Sequence, residues 1–104
     1  NSAGTILTLI DASGNIKLNA VGTGLYIKEG TNATMGVATL VTGTVIVNTT
    51  KVTANSRIFL TVNTAGGTVG SPYISARTAG TSFTITSTLG TDTSTVAWLI
   101  IEPA

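Results

Sequence analysis

The chain closes on "TVAWLIIE", residues 95–102. Its Val, Ile, Thr and Trp content favours a strand, because branched and aromatic side chains fit a pleated surface. In a strand, successive side chains point to opposite faces. Val96, Trp98 and Ile100 therefore share one side, and Ala97, Leu99 and Ile101 share the other. Both sides are apolar, as expected of a central strand covered on both faces. A small two-layer sandwich leaves one face of each sheet in water. The simplest cover for the second face of this strand is a neighbouring subunit.

The segments upstream supply the layers around it. "SFTITST" (residues 82–88) alternates strictly and directs Phe83 and Ile85 inward, between the turns "TAG" and "LGTDTS". "YISAR" (73–77) is the strand before it. "VTANSRIFLTV" (52–62) runs from a small polar turn into a strand with Ile58, Leu60 and Val62 on one face and Arg57, Phe59 and Thr61 on the other. "VATLV" (37–41) and "TVIVN" (44–48) are separated by Thr42 and Gly43, a tight connection or bulge, and "AGGTVGSP" (65–72) is a long loop. Six strands with turn signals about every ten residues predict an antiparallel β-sandwich of jelly-roll type.

The first third has a different character. "GTILTLI" (4–10), "IKLNA" (16–20) and "LYIK" (25–28) read as short strands, with "DASGN" as the first turn and "EGTNATMG" as a boundary. Strands this short do not form an independently stable sheet. They fit a winding β-stem completed by other chains or by residues before Asn1, with Ile16, Leu18, Leu25 and Ile27 directed at a shared axis. Asn1 is not an initiator Met and opens directly into a strand pattern, with no signal peptide visible, so a fragment or processed end of a longer protein is expected. The division is a stem over residues 1–35 and a sandwich knob over 36–104.

Composition narrows the function more by exclusion than by assignment. Charged residues make up 9% of the 104 and the net charge is +1, which gives no electrostatic reason to expect nucleic acid or an anionic membrane. No apolar run approaches the length of a membrane span, so membrane insertion is not expected. Thr makes up about a fifth of the chain. No Cys is present, which removes disulfides, thiolate ligands and a thiol nucleophile. No His is present, which removes imidazole bases, imidazole metal ligands and a Ser-His-Asp triad.

The four acids, Asp11, Glu29, Asp92 and Glu102, are scattered, with Asp92 in a turn and Glu102 at a strand end. Turn-forming and solvated roles are expected for them, not a catalytic pair. "GTGLYI" lacks the third glycine and the helix of a dinucleotide fingerprint. "AGGTVG" reads as an ordinary loop rather than an anion nest, and the sequons at Asn32 and Asn48 read as chance matches in a Thr-rich chain. No catalytic, cofactor or metal residues are expected, and the chain is not expected to be an enzyme. Arg57 and Arg77 stand out because charges are few. Each either contacts a ligand or is spent inside the assembly on Glu102, Asp92 or backbone carbonyls. Trp98 belongs to the core, while Tyr73, beside Pro72 at a loop edge, is the exposed ring that can stack on a sugar.

The phrases "ATLVTGTVIVNTT", "VTANSRIFLT", "ISARTAGTSFTITS" and "DTSTVAWLIIEP" carry a family resemblance. In this order, over residues 36–104, they resemble the C-terminal domain of many bacteriophage tail fibres, tailspikes and related virion appendages. The preceding "GNIKLNAVGTGLYIKEGTNATMG" looks like the stem segment that often leads into it. The resemblance implies a trimeric β-sandwich knob that caps a β-structured stem and sits on a virion, in the tail or another external appendage. Upstream bodies in such proteins can degrade polysaccharide, but nothing in this chain matches one. The implied partners are two further copies of the chain, other virion proteins, and a polysaccharide or protein of the host surface. The candidate trimer-interface residues are Phe59, Leu99 and Ile101, and the candidate receptor contacts are Tyr73 and Arg77. Two other roles fit the same resemblance, a capsid decoration or head fibre and a pure trimerisation clamp with no receptor.

Overall fold

The computed structural model describes residues 8–104, and side-chain environments from Ile10 onward. The stretch 4–7 of the first expected strand lies outside the described residues. Among the described residues eight strands follow one another: β1 (Thr8–Ile10), β2 (Ile16–Leu18), β3 (Met35–Thr39), β4 (Thr44–Asn48), β5 (Arg57–Thr64), β6 (Pro72–Thr78), β7 (Ser82–Ser87) and β8 (Thr95–Ile101). β1 and β2 form a hairpin. The other six form two antiparallel three-stranded sheets, ordered β3-β8-β5 and β4-β7-β6. The expected β-sandwich is therefore the observed fold, and the "TVAWLIIE" strand is central in its sheet.

The β1–β2 turn is built by Asp11. Its carboxylate accepts the Ser13 and Asn15 amides at 3.0 and 2.9 Å and lies 3.2 Å from the Lys17 ammonium. Residues 25–28 correct the reading of "LYIK" as a strand. They join no ladder, and no backbone hydrogen bond holds them among the described residues. The alternating pattern is present, but the described residues offer it no partner strand.

Within the sandwich, only the β6–β7 hairpin stays in one sheet; every other link between consecutive strands crosses to the opposite sheet. The β3–β4 crossing is the tightest. β3 ends at Thr39 and not at Val41, and the Leu40 amide donates to the Ser94 carbonyl at 2.9 Å, one position beyond the last ladder pair of Thr39 and Thr95. Val41 and Thr44 then close a two-residue turn with Thr42 at φ 53° and Gly43 at φ 77°, the paired left-handed geometry of a type I′ turn.

The core lies between the sheets. Phe83, Ile85, Leu40, Val52 and Val96 are fully enclosed, and Trp98 and Ile100 nearly so. The Phe83 and Trp98 rings meet edge to face with centroids 5.2 Å apart, joining the two central strands across the layers. Such pairs add about 0.5–1.5 kcal/mol beyond the area they bury. Gly36 sits opposite Trp98 in the ladder, and a Cβ there would come within 2.8 Å of the indole, so only glycine leaves the ring its place. Val52 is buried although its flank reads as a polar turn. Its carbonyl accepts the Gly80 amide at 2.6 Å, which seats the segment under the β6–β7 turn.

Candidate assembly face

The registers of β3, β8 and β5 decide which side chains share the outer face of their sheet. Met35, Leu99 and Phe59 form one cross-strand row, and Val37, Ala97 and Thr61 form the next. Ile101 lies opposite Arg57 at the end of the ladder. All point away from the core residues Val96, Trp98 and Ile100. Phe59 is 58% exposed, Val37 48% and Ile101 46%. Beside Leu99 the surface dips into an almost wholly apolar depression of about 250 Å³ bordered by Met35, Phe59 and Ala97. The structure thus brings Phe59, Leu99 and Ile101 together on one face, and adds Met35 and Val37. The sequence reading missed Met35 because β3 starts two residues before "VATLV", and it placed Val37 in that strand without assigning it to this face. A carbon-rich face of this kind has hydrophobic attraction to offer and no chemistry.

One charge, Arg57, lies at the end of this face opposite Ile101. The Arg57 guanidinium donates to the Asn55 carbonyl at 2.6 Å. Arg77 reaches the Ser56 and Thr53 carbonyls at 2.7 and 3.4 Å. Glu102 accepts the Thr53 hydroxyl at 2.6 Å and also the Ser56 hydroxyl. The Ser56 and Thr53 hydroxyls, with help from Arg57 and Arg77, hold the Glu102 carboxyl below its usual range. Both arginines thus satisfy carbonyls within the fold, with Glu102 close by.

Tyr73 and Arg77 are not brought together. Tyr73 pairs with Thr86 on the outer face of the second sheet and is 48% exposed. Arg77 pairs with Phe83, whose side chain points inward. A regular strand would put residues 73 and 77 on one side. The bulge between Ile74 and Ala76 reverses the alternation and sends them to opposite sides. Ser75, the extra residue, stays outside, 2.7 Å from the Thr86 hydroxyl. That outer face carries Thr44, Ile46, Tyr73, Ser75, Thr84 and Thr86, and it is mostly hydroxyl.

Asp92 corrects the expectation of a solvated turn acid, because it is fully buried. Its carboxylate accepts the Ser87 hydroxyl at 2.7 Å, the Gly70 amide at 2.8 Å and the Ser94 amide at 3.0 Å. The Ser94 side chain foremost, then the Gly70 amide, hold it far below the ordinary aspartate range. Donors therefore replace water around the charge, and they tie residues 65–72 to the turn before β8. Among the described residues no group of three or more Asp and Glu side chains is placed to hold a metal ion. Among the described residues no helix is long and apolar enough to cross a membrane.

The fold and this face define a small all-β sandwich domain with one apolar outer sheet face. Residues 32–101 match the family model described as K1 capsule-specific polysaccharide lyase, C-terminal domain, and the chain belongs to that family. The match covers both sheets and is to the C-terminal domain, not to the lyase body. It agrees with the resemblance of this chain to C-terminal domains of phage tail appendages. None of the curated proteins compared with the chain matches it.

Proposed function

We propose that the chain is the terminal knob of a phage tail fibre or tailspike, assembled as a homotrimer through the outer face of the β3-β8-β5 sheet. The observation that carries this reading is the uninterrupted apolar row of Met35, Leu99 and Phe59, continued by Val37 and Ile101. Three copies of one face around a threefold axis form a closed assembly and leave no copy of the face in water. The stem hairpin supports the same reading, since Ile10 and Ile16 are 73% and 71% exposed in a single chain. Trimerisation would also turn the hydroxyl-rich face with Tyr73 outward, where host-surface polysaccharide or protein would meet it. The knob itself is non-catalytic and virion-borne in this reading. Sedimentation equilibrium at micromolar concentration tests it. Three chain masses are expected, and a well-folded monomer would contradict the assignment.

A further inference from the structure

Two features are left unabsorbed by that reading. Residues 25–28 carry a strand pattern without a ladder, and β3 has a bare edge. Among the described residues β3 pairs only with β8, and β4 only with β7. Their free edges flank an open groove of about 350 Å³, lined among others by Glu29, Gly30, Gly36, Ala38, Ile46 and Trp98. Edge strands are usually protected by lysine, proline, a bulge or a covering loop. Neither "MGVAT" nor "TVIVN" has a charge or a proline, and neither strand has a bulge in its ladder. Meanwhile Leu25 is 72% and Tyr26 93% exposed.

We infer that residues 25–28 of one chain add as a fourth strand to the free edge of β3 in a sister chain, which extends its β3-β8-β5 sheet. This rests on the trimeric reading above. The pattern fits the site. Leu25 and Ile27 alternate with Tyr26 and Lys28, so the two aliphatic side chains can enter the groove over Ala38 and Trp98 while Tyr26 and Lys28 stay outside. Glu29, the charged residue of the groove lining, suits the Lys28 that ends the incoming segment. The addition also continues the proposed interface, because Met35 and Val37 belong to both the edge strand and the apolar face. Leu25 and Ile27 then pack in a sister's groove and not at the shared axis. The carbonyls and amides of 25–28, which have no ladder partners among the described residues of their own chain, gain them across the subunit boundary.

The absence of native cysteine makes the test clean. Chains carrying Ile27→Cys are co-refolded with chains carrying Ala38→Cys and oxidised mildly. A disulfide between the two kinds of chain can only be intermolecular, and it is expected to disappear when either cysteine is omitted. Hydrogen exchange on the wild-type assembly is the second measurement, and the amides of 25–28 are expected to be protected. A trimer with neither the cross-link nor protection at 25–28 overturns the strand addition and leaves the trimer standing. A monomer in sedimentation overturns the trimeric reading and the inference with it.

Discussion

β7 and β8 hold the same place in the two sheets, each central and each paired on both sides. Their inward faces are alike in kind: Phe83, Ile85 and Ser87 on β7, and Val96, Trp98 and Ile100 on β8, are all buried. Their outward faces differ. β7 shows Ser82, Thr84 and Thr86, and β8 shows Ala97, Leu99 and Ile101. Folding a single sandwich requires only the inward sets. The outward set of β7 can meet water at little cost, and its hydroxyls pair with neighbours such as Thr44 and Ser75. The outward set of β8 gains nothing from water. The difference separates residues that make the fold from residues that make the assembly, and the two kinds alternate along one strand.

The same substitution on the two outward faces tests this most directly. Leu99→Lys places an ammonium in the middle of the apolar face. Burying it there without a partner is prohibitive, so assembly is expected to be lost while the monomer keeps its fold. Sedimentation equilibrium and far-ultraviolet circular dichroism read the two outcomes separately. A Leu99→Lys trimer would show that this face does not lie in the interface.

One position earlier, the effect changes from assembly to folding. Trp98→Ala empties the largest core site and its edge-to-face contact with Phe83, for a loss of about 3–5 kcal/mol. Gly36 contributes no side chain that could move into the space. Denaturant unfolding of the Leu99→Lys background measures this without interference from assembly. A midpoint close to that of the background alone would remove Trp98 from the core.

The inward and outward sets were legible in the sequence because period-2 alternation is a local property. Phe83, Ile85, Val96, Trp98 and Ile100 all fall where the pattern puts them. Three things were not legible, each because a non-local partner decides it. The four residues of "LYIK" alternate as a strand does, yet a strand exists only if a ladder accepts it. The bulge at Ser75 leaves no mark in "YISAR", and it separates Tyr73 from Arg77. Asp92 has the setting of a turn acid, and nothing nearby in sequence announces that Gly70 reaches across to it. The apolar face itself was half legible. Its β8 and β5 members follow from alternation and Val37 lies within "VATLV", while Met35 needed the register of β3.

Asp92 gives a smaller effect that depends on pH. Its carboxyl titrates lower in the folded chain than in the unfolded one. The stability it contributes is therefore complete above the unfolded value of about 3.9, and it is lost as pH falls from there towards the folded value. Thermal melts of the wild type should fall as the medium is taken from about pH 5 to pH 2. Asp92→Asn should be less stable at neutral pH, because an amide cannot accept from all the donors that converge there. It should also lose part of the acid slope. Glu102 and Asp11, whose carboxyls are likewise lowered, account for the slope that remains. An unchanged slope in Asp92→Asn would mean that the buried carboxylate is not what acid attacks.

The smallest expected effect is the counterpart of Leu99→Lys on the other sheet. Thr84 lies on the outward face of β7, between Ile46 of β4 and Ala76 of β6. Its side chain is half-buried by those neighbours and makes no hydrogen bond to another side chain among the described residues. A lysine there can lay its methylenes over Ala76 and carry its ammonium into water. What remains is the lower strand preference of lysine, a cost under about 1 kcal/mol. Thr84→Lys should therefore sediment as the wild type does and melt within a few degrees of it. The value of the experiment lies in its symmetry with Leu99→Lys. If Thr84→Lys breaks the assembly, the hydroxyl face lies inside the interface and Tyr73 with it, and that face would no longer be free to meet a host surface. If both substitutions leave a trimer, neither outer face holds the subunits together, and assembly must run through the open edge of β3 or through the stem.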